Sequence, residues 1–297
     1  MASGITFLPW WVWGLFTSLM VASFLLVNQH FKLKPSTLML WRGFGVAAAF
    51  LPFVLLSTPP KNPLFYGIVF VMGLLVAVYD RASLKSAGTF GAGVTSRLLP
   101  LGIWVSFMAW LFLKPHYRQS LLDEPQKLAA VVGAVLVAVV AVFFLRKDAI
   151  SKEAALYLLP FIALSGVLDV FNKVAMHLTE APIAGALSYG FWLSLACGVG
   201  TLGLRFLEGR AINLAEAFTP HALKGGLVLA LSMVLLMISK NFAMYLTPNP
   251  AYVGVLTLFC PIWVALYNRL THHKDTTNLW AGLLFVLSAG ILIVFTS

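Results

Sequence analysis

The chain is 297 residues long, 60% hydrophobic and only 10% charged, with a mean hydropathy of +0.92. A soluble domain carries about a quarter of its residues as charges, so this composition excludes a globule whose whole surface faces water. The net charge of +10 comes from basic residues scattered singly or in pairs, which suits the holding of loops at a membrane face better than a nucleic-acid patch.

A helix needs about 20 mostly apolar residues to cross the hydrocarbon. On that ruler the sequence predicts ten helices, near 9–30, 36–57, 64–81, 90–113, 128–145, 154–177, 184–206, 224–246, 250–269 and 278–296. The first apolar run, Ile5 to Val27, has no basic stretch before it and exceeds the roughly 7–15 residues of a signal-peptide core. It reads as a membrane helix that the protein keeps. Lys32-Leu33-Lys34-Pro35, the stretch Ser57 to Pro63, Arg146-Lys147-Asp148, Thr247-Pro248-Asn249-Pro250 and the stretch Thr271 to Asp275 separate the helices. Two connections are longer, near 114–127 and 207–223, and the second reads either as a loop or as a short interfacial helix carrying Ile212, Leu214, Ala215 and Phe218. Cys197 and Cys260 both lie in apolar runs and read as small packed hydrophobes.

The chain also repeats itself. Arg81–Pro100 aligns without a gap on Phe242–Pro261, so that Ala82 meets Ala243, Gly93 meets Gly254, Val94 meets Val255 and Pro100 meets Pro261. Each copy is a helix end, a tight connection and a next helix that opens with small residues and then meets a Pro. Small residues let helix backbones approach, and an intramembrane Pro frees a carbonyl and bends its helix. Gly93, Pro100, Gly254 and Pro261 are therefore the candidate hinge and packing positions. Repeats of five helices each, 1–147 and 148–297, contain an odd number, so the second inserts upside down. The expected fold is an all-α integral membrane protein of ten transmembrane helices, built as two inverted five-helix repeats around a central site.

The segment Pro35-Ser36-Thr37-Leu38-Met39-Leu40-Trp41-Arg42-Gly43-Phe44, its counterpart from Pro182 to Tyr189-Gly190-Phe191, and the small-residue and Pro pattern above resemble the drug/metabolite transporter superfamily, nearest its EamA-like branch. The chain departs from that pattern where Lys114-Pro115 and His272-His273 stand in place of a Gly-Glu pair, and where the first helix lacks a clean Trp-Gly-Ser-Asn-like start. The resemblance implies a multi-pass inner-membrane exporter of small metabolites such as amino acids, with both termini in the cytoplasm. Loop charge points the other way. Lys32, Lys34, Arg81, Lys85, Arg146, Lys147, Lys152, Arg205, Arg210, Lys224, Arg269 and Lys274 fall at odd-numbered connections, against Lys61, Lys114, Arg118 and Lys127 at even ones. The positive-inside rule then sets both termini outside.

A charge at mid-bilayer costs on the order of 2.5–3.5 kcal/mol on insertion scales and usually has a partner or a purpose. Six charged residues in the predicted helices stand out: Arg42, Asp80, Arg97, Asp169, Lys173 and Lys240. Asp169 and Lys173 are spaced as an i,i+4 ion pair, expected with Asn172 to face a cavity or simply to neutralise each other. Asp80 aligns with Asn241 and Tyr79 with Lys240, and Arg97 is a candidate partner for Asp80. Arg42, about 10 Å into its helix, either snorkels to the headgroups or offers its planar fork to an anionic group. Arg42, Arg97, Lys173, Lys240, Asn172 and Asn241 are thus candidate substrate contacts, with Asp80 and Asp169 as counter-charges or proton carriers. Trp41, Tyr79, Trp104, Tyr189 and Trp192 are candidates for an aromatic cage, with packing or lipid anchoring the more ordinary role for any one of them, while Trp10, Trp11 and Trp13 read as an interfacial belt.

His30, His116, His177, His221, His272 and His273 have no metal-ligand spacing, no Walker or dinucleotide motif occurs, and Gly88–Gly93 reads as a tight interhelical turn. No metal, cofactor or enzymatic role is expected. The sequence points to a secondary transporter of a small polar metabolite working by alternating access, with a small-molecule substrate, the lipid bilayer and a coupling proton as its partners, as monomer or homodimer. Helices one to four and six to nine would line the cavity, with five and ten outside. An excess of basic groups there keeps an exchanger of organic anions or phosphorylated solutes open. In another class, an intramembrane enzyme acting on a lipid or peptide would need an acid–base pair on facing helices.

Overall fold

The computed structural model describes residues 8–90, 98, 101–144, 151–209, 214–271 and 279–296. Every regular element among them is a helix. In chain order these are α1 (Trp10–Phe31), α2 (Pro35–Leu55), α3 (Pro63–Phe90), α4 (Gly102–Leu113), α5 (Pro115–Leu122) and α6 (Pro125–Phe144). They continue as α7 (Lys152–His177), α8 (Pro182–Leu207), α9 (Leu214–Ala217), α10 (Pro220–Leu246), α11 (Pro250–Leu270) and α12 (Leu279–Thr296).

Proline opens many of these helices, as at Pro35, Pro115, Pro182, Pro220 and Pro250. Its fixed φ fits the first helical turn, where a missing N–H is harmless. Side chains cap others. Ser151 accepts the N–H of Ala154 at 3.1 Å, Thr219 that of Ala222 at 3.3 Å, and the Asn249 amide oxygen that of Ala251 at 2.9 Å. The long connection at 114–127 holds α5, an element the sequence reading leaves as loop, and the one at 207–223 holds the four-residue α9.

Seven helices, α2, α3, α6, α7, α8, α10 and α11, are long and apolar enough among the described residues to cross a membrane. Shorter apolar stretches lie in α1, α4 and α12. The interior is mainly apolar, as in a soluble fold, but so is much of the outer surface. Large apolar residues such as Leu56 (89% exposed), Phe206 (85%) and Val294 (77%) point outward, while Thr17, Ser106, Ser188, Ser194 and Asn241 are fully buried. The protein is membrane-embedded, its outer surface wetted by lipid.

With little hydrophobic drive between helices in lipid, close packing has to hold them. Gly43 of α2 crosses Gly198 of α8 so tightly that a methyl on Gly43 would overlap the partner backbone, and Gly102 of α4 crosses Gly166 of α7 in the same way. The most extensive packings are α1 on α10, α3 on α8, α6 on α12, α4 on α7, α2 on α8, α2 on α10, α3 on α7 and α1 on α11. Two irregularities interrupt the rods. Trp41–Gly45 forms a π-helical turn inside α2. In α11, Leu258 and Phe259 donate three residues back, to Val255 at 3.2 Å and Leu256 at 3.1 Å, so the helix tightens and breaks just before Pro261.

Candidate functional site

A cavity of about 450 Å³ lies at the centre of the bundle. Its described walls come from α1, α2, α3, α4, α7, α8, α10 and α11, the eight helices that the sequence reading assigns to it. The remaining long pair, α6 and α12, packs together, with Ser288 donating to the Ala134 carbonyl at 2.7 Å.

The π turn in α2 carries Arg42, and such turns recur at functional sites because they re-aim side chains. Arg42 lines the cavity at 12% side-chain exposure, and its Nε lies 3.8 Å from Asp80 Oδ2 of α3. Also on the cavity wall, Lys240 of α10 donates to Asp169 of α7 at 2.7 Å. Among the described residues the cavity therefore balances two positive side chains against two negative ones. Tyr79, Tyr189, Asn172 and Asn241 also line it. The Tyr189 hydroxyl donates only weakly, to the Met72 sulfur at 3.8 Å. Nη1 of Arg42 and Oδ1 of Asn172 and Asn241 are buried without a hydrogen-bond partner among the described residues. Met72, Leu168, Leu193, Met233 and Met237 supply an apolar flank.

Lys173 departs from expectation. Asp169 pairs with Lys240 instead, and Lys173 is fully enclosed at 2% exposure, away from the cavity wall. Its ammonium donates to the carbonyls of Met244 (2.9 Å) and Thr247, and lies 5.3 Å from the centre of the Trp110 ring. Those carbonyls are the unsatisfied C-terminal acceptors of α10, where the helix dipole favours a cation. Intrahelical spacing suggested an ion pair, but a neighbouring helix end offers the lysine two acceptors.

The aromatic cage is likewise corrected. Tyr79 and Tyr189 reach the cavity, but Trp41 packs on Gly226 of α10 and donates to the Ala217 carbonyl at 3.1 Å. Trp192 stands edge-on to Tyr66, and Trp104 edge-on to Phe107. Trp10 and Trp13 do not form an interfacial belt: Trp10 is 4% exposed beside Tyr252, and Trp13 stacks on Phe242 at 4.9 Å. Of the four hinge positions, Gly254 and Pro261 border the cavity. Gly93, Pro100 and the candidate contact Arg97 lie outside the described residues.

Sequence reasoning missed Thr17, Ser165, Thr257 and Cys260 on the cavity wall. Short hydroxyls and thiols on apolar helices give no periodic signal, because each can turn back to bond its own helix, as Thr17 does to the Trp13 carbonyl at 2.8 Å. It also missed Trp110, whose indole donates to the Pro248 carbonyl at 2.9 Å. No family model matches the chain, and no curated protein is significantly similar to it.

Proposed function

We propose that the protein is a secondary transporter, an inner-membrane exporter, of a small zwitterionic metabolite such as an amino acid. It works by alternating access around the central cavity, between two inverted five-helix halves. The observation that carries this reading is the cavity itself, walled by eight helices and holding two ion pairs in charge balance among the described residues. A solute with one carboxylate and one ammonium group can meet Arg42 or Lys240 with the first and Asp80 or Asp169 with the second. Polar atoms of Arg42, Asn172 and Asn241 that have no partner among the described residues offer it further hydrogen bonds, which buried polar groups normally make. The two aspartates are also the candidate proton carriers, since ionisable groups inside a membrane often serve proton relays.

The two-half reading has support in the packing. Exchanging α1 with α7, α2 with α8, α3 with α10, α4 with α11 and α6 with α12 turns the most extensive helix pairings into one another. Under that exchange α1 on α10 becomes α7 on α3, and α3 on α8 becomes α10 on α2. The pair α4 on α7 becomes α11 on α1, while α2 on α8 and α6 on α12 return to themselves. Resemblance to the drug/metabolite transporters points the same way, and it supplies the direction of transport. An anion exchanger is less suited, because Lys173, counted among the basic excess, is occupied as a helix clamp.

The test is uptake into proteoliposomes, with and without a pH gradient, of leucine, of the amine lacking its carboxylate and of the acid lacking its amino group. Leucine should enter at least tenfold faster than either singly charged analogue, and Arg42→Gln and Lys240→Gln should abolish the preference. Transport of the acid with none of leucine overturns the reading.

A further inference from the structure

α10 is fastened at both ends by the same device. Before its start, the Trp41 indole of α2 donates to the carbonyl of Ala217 at 3.1 Å. Beyond its finish, the Trp110 indole of α4 donates to the carbonyl of Pro248 at 2.9 Å. Both acceptors lie in the connections that flank α10, and both donors come from the first half of the chain.

Each indole is seated by its neighbours. Trp41 lies flat on Gly226, where a methyl group would overlap the ring, and Phe218 meets it edge-on at 6.2 Å. Beside it, Lys34 pairs with Glu216 at 2.8 Å, and His221 bonds the Phe31 carbonyl at 2.8 Å. At the other end, Trp110 is buried beneath two ammonium groups, Lys173 at 5.3 Å and Lys114 at 5.6 Å. Lys173 in turn holds the Met244 and Thr247 carbonyls.

Between these fastenings α10 travels with α1. The Thr17 and Ser239 hydroxyl oxygens lie 3.0 Å apart, and Trp13 stacks on Phe242. The 27 residues of α10 make a rod of about 40 Å, and its cavity face carries Met233, Met237, Lys240 and Asn241. In this structure both bonds are made, each tying one end of α10 to the first half of the chain. With one bond released and the other serving as pivot, the rod would open a single mouth, one of two discrete packings rather than a continuous flexing.

We propose that Trp41 and Trp110 are the two gate residues of the cavity, their indole–carbonyl bonds released in alternation. This rests on the alternating-access reading above. An indole suits the task because it carries one N–H donor on a large rigid plug, and a single net hydrogen bond weights a population by only about fivefold.

The natural thiols make the test direct. With Cys197→Ser, cavity-lining Cys260 is the sole cysteine. A charged, membrane-impermeant methanethiosulfonate is applied from each face of oriented vesicles, and the rate of Cys260 labelling is read. Trp110→Phe should raise labelling about fivefold from the face where α10 ends, and Trp41→Phe from the face where it begins. Gly226→Ala, which crowds Trp41, should act as Trp41→Phe, and Lys173→Met as Trp110→Phe, so the contrast survives if a tryptophan variant does not fold. Shifts in the same direction from both ends, or no shift from either, overturn the proposal. No substrate enters this readout. Opposed shifts in a protein that carries no zwitterion uphold the gates and remove the substrate reading; leucine transport with labelling blind to both tryptophans does the reverse.

Discussion

Asparagine at position 169 keeps the shape of the side chain and removes the carboxylate that holds Lys240 at 2.7 Å. A fully buried ion pair loses about 3–5 kcal/mol when one partner goes, because the other charge is stranded. Here the side chains are 31% and 19% exposed and border a cavity, so solvent screens part of that penalty. The expected loss is about 1–2 kcal/mol for Asp169→Asn, and the same for Lys240→Gln. The double variant strands no charge and should be destabilised by less than the sum, with a coupling of about 1 kcal/mol. Thermal unfolding in detergent reads this as a few degrees in Tm. A second cycle pairs Asp169→Asn with Lys173→Gln and should couple far more weakly, since the Lys173 ammonium is engaged by the Met244 and Thr247 carbonyls. Strict additivity of the first cycle would refute the Asp169–Lys240 pair. Strong coupling in the second would reinstate the i,i+4 pairing that the spacing alone suggests.

Lys173→Ala removes the donor from the end of α10 and leaves a void in a closed site, so it should lower stability by about 3–5 kcal/mol, read as Tm; a loss under about 1 kcal/mol contradicts the clamp. Gly166→Ala drives a methyl into the backbone of α4 and should destabilise by about 1–3 kcal/mol. Gly67→Ala and Gly203→Ala meet nothing within 4 Å and should be neutral or stabilising by about 0.5–1 kcal/mol, and equal losses at all three sites would contradict the crossing at Gly102 and Gly166. Burial raises the phenol of Tyr117, on the connecting helix α5, above its usual value near 10. The unfolded chain then ionises first, so this contribution to stability is complete below about pH 10 and falls as pH rises through the folded value; Tyr117→Phe, which also deletes the 2.5 Å bond to Tyr252, should give a shallower alkaline loss of Tm.

Helix positions and cavity walls were legible because both follow from one-dimensional patterns. Apolar run length locates the helices, and the absence of internal charge in 128–145 and 278–296 marks the pair that stays outside. Partner choice was not legible. Asp169 has Lys173 one turn along its own helix, the partner that local spacing favours, yet pairs with Lys240, 71 residues away. The decision belongs to the end of α10, which supplies carbonyls to Lys173 and leaves Asp169 to the second lysine. Which aromatics reach the cavity was not legible for a related reason. An aromatic on a membrane helix looks the same in sequence whether it faces lipid, cavity or neighbour, and only a facing glycine such as Gly226 reveals its seat.

The distribution of strong and weak contacts bears on how the proposed carrier moves. Each cavity ion pair joins two helices of one half, Arg42 of α2 to Asp80 of α3 and Asp169 of α7 to Lys240 of α10. Ion pairs between the halves, Lys34 with Glu216, Lys61 with Glu180 and Arg81 with Glu208, all have exposed cations, and such surface pairs contribute about 0–1 kcal/mol each. The indole–carbonyl bonds at the two ends of α10 are neutral and worth about 1 kcal/mol net. A protein that must exchange two shapes repeatedly needs them within a few kcal/mol of each other, so the bonds that break in each cycle have to be small. The cavity charges, which a bilayer makes expensive, stay partnered within their own half; under the proposed function, a solute offering replacement charges, or a proton on either aspartate, would loosen them. A static scaffold would gain by the opposite arrangement, with its strongest contacts across the seam.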